Sequence, residues 1–314
     1  MLKPLLYGPT KLRAIWRILI FFALSLIGFI VLYVPAAALA PGGLVTQLAL
    51  YSLAAAIAML VASAMMMNTF EGRPLAAVGL PGGREAWSSW LRGAALGGAF
   101  IALLAAIQLL AGWLSPVADP GTFFGWLGSV TGLALLLAVA AFVEELWFRG
   151  YAFQVLVEGA GPLVAVAVSS VAFAALHLSN PAIGPLPLLN LALAGVLLAV
   201  AYLRTRSLWF ATGLHWGWNW CQAAIFDLPV SGIEFDVPLY DAALSGPVSL
   251  TGGAFGPEGG LLTAVLAVPF IAWLARTRHL SESAAMKALD PLVDSRLRTE
   301  IENRELNVKI ESSR

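Results

Sequence analysis

Two adjacent glutamates and an arginine, Glu144, Glu145 and Arg149, interrupt an apolar stretch that starts near Gly128. A charge at mid-bilayer costs about 2.5 to 3.5 kcal/mol on insertion scales, so a cluster of them marks a functional site. Residues four apart lie roughly 40° apart around a helix, so Glu145 and Arg149 share a face, in the acid-before-base order that favours an ion pair. Glu144 points about 100° away and is free to face a neighbouring helix. The other polar outliers recur at the same spacing: His177 follows Phe173 by four, and Asn219 follows His215 by four. Each has a plainer reading, the histidines and the asparagine as hydrogen-bonding glue between helices and Phe173 as packing. Together, a carboxylate, two imidazoles and a carboxamide supply a general base, a second proton-transfer group and donors for an oxyanion.

Such residues need elements to hold them, and composition fixes the kind. With 60% hydrophobic and 11% charged residues, the chain is far from soluble proteins, in which about a quarter of residues are charged. An all-α, polytopic membrane protein is expected, with an intramembrane polar cavity. Apolar runs long enough to span about 30 Å fall near Ile18 to Ala40, Leu44 to Met67, Gly93 to Ser115, Gly128 to Val157, Pro162 to Leu178, Pro187 to Leu203, Leu208 to Phe226 and Gly260 to Ala275. Counted from the turn between Glu158 and Pro162, Glu144 and His177 lie at matching depths of roughly 21 to 23 Å. His215 and Asn219, at roughly 13 and 20 Å from Arg206, come close enough to join them after helix tilt.

Charge gives an orientation. If the N-terminus is cytoplasmic, none of the 18 Lys and Arg falls in an outer connection of this map, whereas the outer connections carry only acids: Asp119, Asp227, Glu234, Asp236, Asp241 and Glu258. That asymmetry predicts eight spans with both termini cytoplasmic, in the plasma membrane. Residues 68–92, with Trp87 and Trp90, read as an interfacial hairpin or short helix, and the Gly- and Pro-rich stretch from Asp227 to Gly259 as a mobile outer loop. The division is a transmembrane domain over 1–278 and a cytoplasmic tail over 279–314, amphipathic around Leu289, Val293, Leu297 and Ile301. The tail helix is expected to begin near Ser281. Zero net charge argues against a nucleic-acid partner. The single Cys221 reads as an apolar filler.

Glu144-Glu145-x-x-x-Arg149, Phe173-x-x-x-His177 and His215-x-x-x-Asn219, in that order on successive segments, resemble the three motifs of the CPBP (CAAX protease and bacteriocin-processing) intramembrane proteases, related to type II CAAX prenyl endopeptidases. The resemblance covers roughly Leu80 to Phe226. It implies a helical fold with a cavity open to the cytoplasm, in which a glutamate-activated water hydrolyses a peptide bond of a peptide or membrane-protein substrate. By position, Glu144 would be the general base assisted by His177, with His215 and Asn219 on the oxyanion. Glu145, Arg149 and Phe173 would support the site.

Three alternatives stay open. Glu144, His177 and His215 could ligate zinc, although the His-Glu-x-x-His signature is absent, and a site without cofactor is the expectation. A non-catalytic scaffold or chaperone would bind a partner protein through the same cavity. A transporter relaying protons is disfavoured, because no internal repeat or pair of broken helices is visible.

Overall fold

The computed structural model describes residues 6, 11–40 and 42–289. The principal helices are α1 (Ala14–Leu39), α2 (Leu44–Met66), α3 (Gly83–Leu110), α4 (Phe123–Arg149), α5 (Tyr151–Ala160), α6 (Pro162–Leu176), α7 (Pro185–Thr205), α8 (Leu208–Trp220), α9 (Leu261–Arg276) and the short α10 (Ala284–Ala288). Each apolar segment expected from the sequence contains a helix, although the one expected to reach Ser115 is helical only as far as Leu110. Five helical stretches, containing α1, α2, α3, α4 with α5, and α7, are long and apolar enough to cross a membrane, whereas α6 and α9 are shorter. Side chains such as Ile27, Val31, Leu135, Val171 and Val265 stay exposed on these helices. An apolar girdle of this kind suits lipid, and the chain is an integral multi-pass protein.

Local chemistry sets the helix ends. Thr122 and Ser207 cap α4 and α8 by accepting from the amides of Gly125 (3.1 Å) and Phe210 (3.2 Å). Pro162 and Pro185 start α6 and α7, where a missing N–H costs nothing. The expected single run from Gly128 to Val157 is divided at Gly150, immediately after Arg149. Residues 68–92 also differ from expectation: after short turns, α3 begins at Gly83 and takes in both Trp87 and Trp90.

The short α8 sits at the centre, packed on α3, α4 and α7. Its approach to α3 depends on small residues at helical spacing on both sides. A Cβ at Gly93 or Gly97 would collide with backbone of α8, and one at Gly213 or Gly217 with backbone of α3. This interleaving is the small-residue packing that brings membrane helices together. On another side, the Trp216 and Trp220 indoles donate to the Ala134 (2.8 Å) and Val130 (3.1 Å) carbonyls of α4. These two tryptophans therefore fasten α8 to the helix that carries Glu144.

The ends of successive helices gather into two groups. At one, Arg17 is buried between Glu71 (2.5 Å) and Glu158 (3.0 Å), Lys11 bridges the same two acids, and Arg206 holds Glu282 (3.1 Å) and the Met286 and Leu289 carbonyls. At the other, β1 (Leu114–Ala118) pairs antiparallel with β2 (Tyr240–Leu244), Leu114 opposite Leu244. The stretch expected as a mobile loop is a folded cap. Val230, Val237, Phe255 and Glu258 are buried in it. The tail begins as α10, capped by Ser283; Val293, Leu297 and Ile301 lie outside the described residues.

Candidate active site

The seven motif residues converge where α4, α6, α7 and α8 meet. Glu145 and Arg149 are fully buried and paired at 2.9 Å, as their spacing predicts. The guanidinium also donates to the Gly195 carbonyl of α7 (2.8 Å) and lies 5.0 Å from the Phe173 ring centroid. Gly195 makes that reach possible, because a Cβ there would stand 2.7 Å from the Ser170 Cα of α6. Phe173 is therefore more than filler: its face meets the cation, a contact that strengthens when desolvated.

Glu145 has a second partner that its sequence position does not reveal. Its Oε1 lies 2.9 Å from Nδ1 of His215, so one carboxylate oxygen fixes both Arg149 and the imidazole. An imidazole Nδ1 facing a carboxylate carries the proton, which fixes the ring's orientation and aims Nε2 elsewhere. Nε2 of His215 stands 3.9 Å from Glu144 Oε2. Glu144 thus diverges from Glu145 as the helical geometry predicts, and its side chain is about one-third exposed. Its Oε2 has no hydrogen-bond partner.

Glu144, Phe173, His177, His215 and Asn219 all line one cavity of about 330 Å³. His177 lies one residue past the end of α6, with Nδ1 2.8 Å from the Phe173 carbonyl. That contact puts the proton on Nδ1 and leaves Nε2 for other work. Glu144 and His177 share the cavity without a direct hydrogen bond or ion pair between them, and the nearest imidazole to Glu144 is that of His215. Leu48, Tyr51, Leu136 and Leu137 give one side of the cavity an apolar wall.

Two further residues belong to this region. Glu258 of the cap lines the same cavity and is 8% exposed. Sequence reading counted it only as one more acid of an outer connection. Burial pushes its carboxyl above the ordinary range, and donors from Ser231 and Trp218 offset only part of that. The one available signal was its setting, Gly256-Pro257-Glu258-Gly259-Gly260, an acid among residues that let backbones approach. Asn190, left unassigned in the sequence, donates to the Glu258 (2.6 Å) and Gly260 (2.8 Å) carbonyls. As for zinc, no three His, Cys, Asp or Glu side chains among the described residues are grouped closely enough to hold a metal ion. Glu144, His177 and His215 as placed do not fit one.

Helices that span a membrane, with buried ionisable groups facing one cavity, define a membrane protein with a candidate hydrolytic site. Residues 125–221 match the family model of the Rce1-like proteins, described as type II CAAX prenyl endopeptidase Rce1-like. That stretch, from α4 to Cys221, contains all seven motif residues, and the match agrees with the motif resemblance. It is shorter than the expected Leu80 to Phe226. Searches among curated proteins and among solved structures gave no match.

Proposed function

We propose that the chain is an intramembrane endopeptidase that hydrolyses a peptide bond with water activated by Glu144. The observation that carries this reading is that Oε2 of Glu144 makes no hydrogen bond, on a residue that shares a cavity with His177, His215 and Asn219. A carboxylate oxygen that accepts no hydrogen bond can take a proton from water. The resulting hydroxide adds to the carbonyl carbon of the scissile bond, and the C=O electron pair moves onto oxygen. Asn219 and the doubly protonated His215 donate to that oxyanion, His215 through Nε2 while Nδ1 stays on Glu145. His177, with Nε2 free, helps pass the proton from Glu144 to the amine nitrogen as the C–N bond breaks. The products are a carboxylic acid and an amine.

The family match favours hydrolysis over a scaffold that only binds a partner. Its description also favours prenylated tails among the candidate substrates, beside unmodified peptides and membrane proteins. The positive-inside asymmetry favours eight spans, and the family resemblance favours a cavity open to the cytoplasm. The test uses purified protein in liposomes and quenched fluorogenic peptides, one set ending in a farnesylated Cys-aliphatic-aliphatic-X tail and one unmodified. Glu144→Gln should abolish cleavage of whichever set the wild type cleaves while remaining folded. Retention of wild-type turnover by Glu144→Gln would overturn the assignment.

A further inference from the structure

Glu258 is buried in the wall of the candidate active site, yet it lies on the cap, far in sequence from the three motifs. All of its carboxylate contacts are to donors. Oε1 accepts from the indole Nε1 of Trp218 (2.9 Å), and Oε2 accepts from the amide (2.6 Å) and hydroxyl (3.0 Å) of Ser231. Each contact leads to a motif residue. Trp218 is the residue before Asn219 and three beyond His215 on α8; its ring stacks on Phe100 at 4.5 Å. Ser231 accepts at its carbonyl from the side chain of Asn180 (2.9 Å), and the Asn180 amide donates to the His177 carbonyl (3.0 Å). The carboxylate therefore stands between the turn that carries His177 and the helix that carries Asn219.

The turn around Glu258 is itself held firmly. Asn190 of α7 binds the carbonyls of Glu258 and Gly260, and Thr263 donates to the Pro257 carbonyl (2.5 Å). Gly256 adopts φ 91° and passes so close to the Pro229 carbonyl that no Cβ would fit. A buried carboxylate on such a support is costly unless its hydrogen bonds do something that an apolar side chain could not. Sealing the cavity would need only bulk. Fixing three donors at defined distances needs a carboxylate.

We infer that Glu258 is a positioning residue for peptide-bond hydrolysis: through Trp218 and Ser231 it sets the placement of Asn219 and His177 about the scissile bond. The inference rests on the reading of the site as a protease. Glu258 touches no reacting atom, and it acts by fixing where the oxyanion donor and the proton-transfer group stand. Placement matters at this scale, since a displacement of about 1 Å costs on the order of 10²-fold in rate.

The experiment is steady-state kinetics in liposomes on the quenched peptide that the wild type cleaves, with Glu144→Gln alongside. Glu258→Gln keeps the size but puts an NH2 where one donor must be met, so kcat should fall about 10- to 100-fold with KM unchanged. Trp218→Phe keeps the ring and removes its N–H. If Glu258 acts partly through that indole, the double variant should lose much less than the product of the two single losses. Rate losses at an unchanged thermal unfolding temperature support positioning. Wild-type kcat in Glu258→Gln, or losses that simply multiply, would overturn the inference. Should Glu258→Gln not accumulate, Ser231→Ala and Trp218→Phe each remove one of the three bonds and should each lower kcat several-fold; wild-type kcat in both would be equally decisive. An inert Glu144→Gln beside a fully active Glu258→Gln defeats only this inference, whereas an active Glu144→Gln defeats the protease reading beneath it.

Discussion

At the residue scale, the site separates two kinds of glutamate by what each oxygen touches. Glu145 has one oxygen committed to both Arg149 and His215 and stays out of the cavity lining, while Glu144 lines the cavity and its Oε2 makes no hydrogen bond. A fully buried pair of this kind is expensive to break from one side, because the remaining charge is stranded. Arg149→Ala should therefore destabilise the protein by about 3 to 5 kcal/mol, visible as lower yield and a lower unfolding temperature in detergent. Removing both charges separates stability from function. Glu145→Gln with Arg149→Met should recover most of the stability, but activity should stay low because His215 loses the carboxylate that orients its ring. Full turnover in the double variant would show that Glu145 serves packing alone. The helical spacing of Glu145 and Arg149 made this ion pair legible in the sequence. The bond to His215 was not legible, since it joins residues 70 apart and depends on how α4 packs on α8.

At the element scale, the site depends on α8, whose 13 helical residues carry both His215 and Asn219. Its position against α3 is set by Gly93, Gly97, Gly213 and Gly217, each a place where a Cβ would enter the neighbouring backbone. Apolarity marked both segments as helices, but the small residues at spacing four were the signal for which faces meet. Glycines four apart share a helix face, but the spacing does not say which helix that face meets. Gly217→Ala should push α8 away from α3, costing about 1 to 3 kcal/mol of stability and most of the activity. Gly128→Ala on α4 supplies the contrast, since nothing lies within 4 Å of a Cβ there. That change should be neutral or stabilising by about 0.5 to 1 kcal/mol. Equal behaviour of the two variants in thermal unfolding and peptide cleavage would show that α3 and α8 are not held by backbone contact.

At the scale of the whole molecule, the segment map was the most legible feature, because hydropathy acts residue by residue along the chain. The cap was the least legible. Its Gly- and Pro-rich composition is that of a mobile loop, and it folds because β1 offers β2 a partner, while its buried residues close over helices distant in sequence. The two groups of helix ends also differ chemically. One holds Lys11, Arg17, Arg204 and Arg206, bound to acids or to carbonyls of the tail's first residues, and the other carries the acids of the cap. This difference matches the positive-inside bias and predicts that the cap faces outward and the tail inward. With Cys221→Ser as background, single cysteines placed in the exposed parts of residues 232–246 should react with a membrane-impermeant maleimide on intact cells. Cysteines at residues 281–285 should react only after the membrane is opened. Labelling of both sets from outside would put the tail and the cap on one side of the membrane. An even number of crossings would then separate them instead of the single crossing of α9, and the eight-span arrangement would fall.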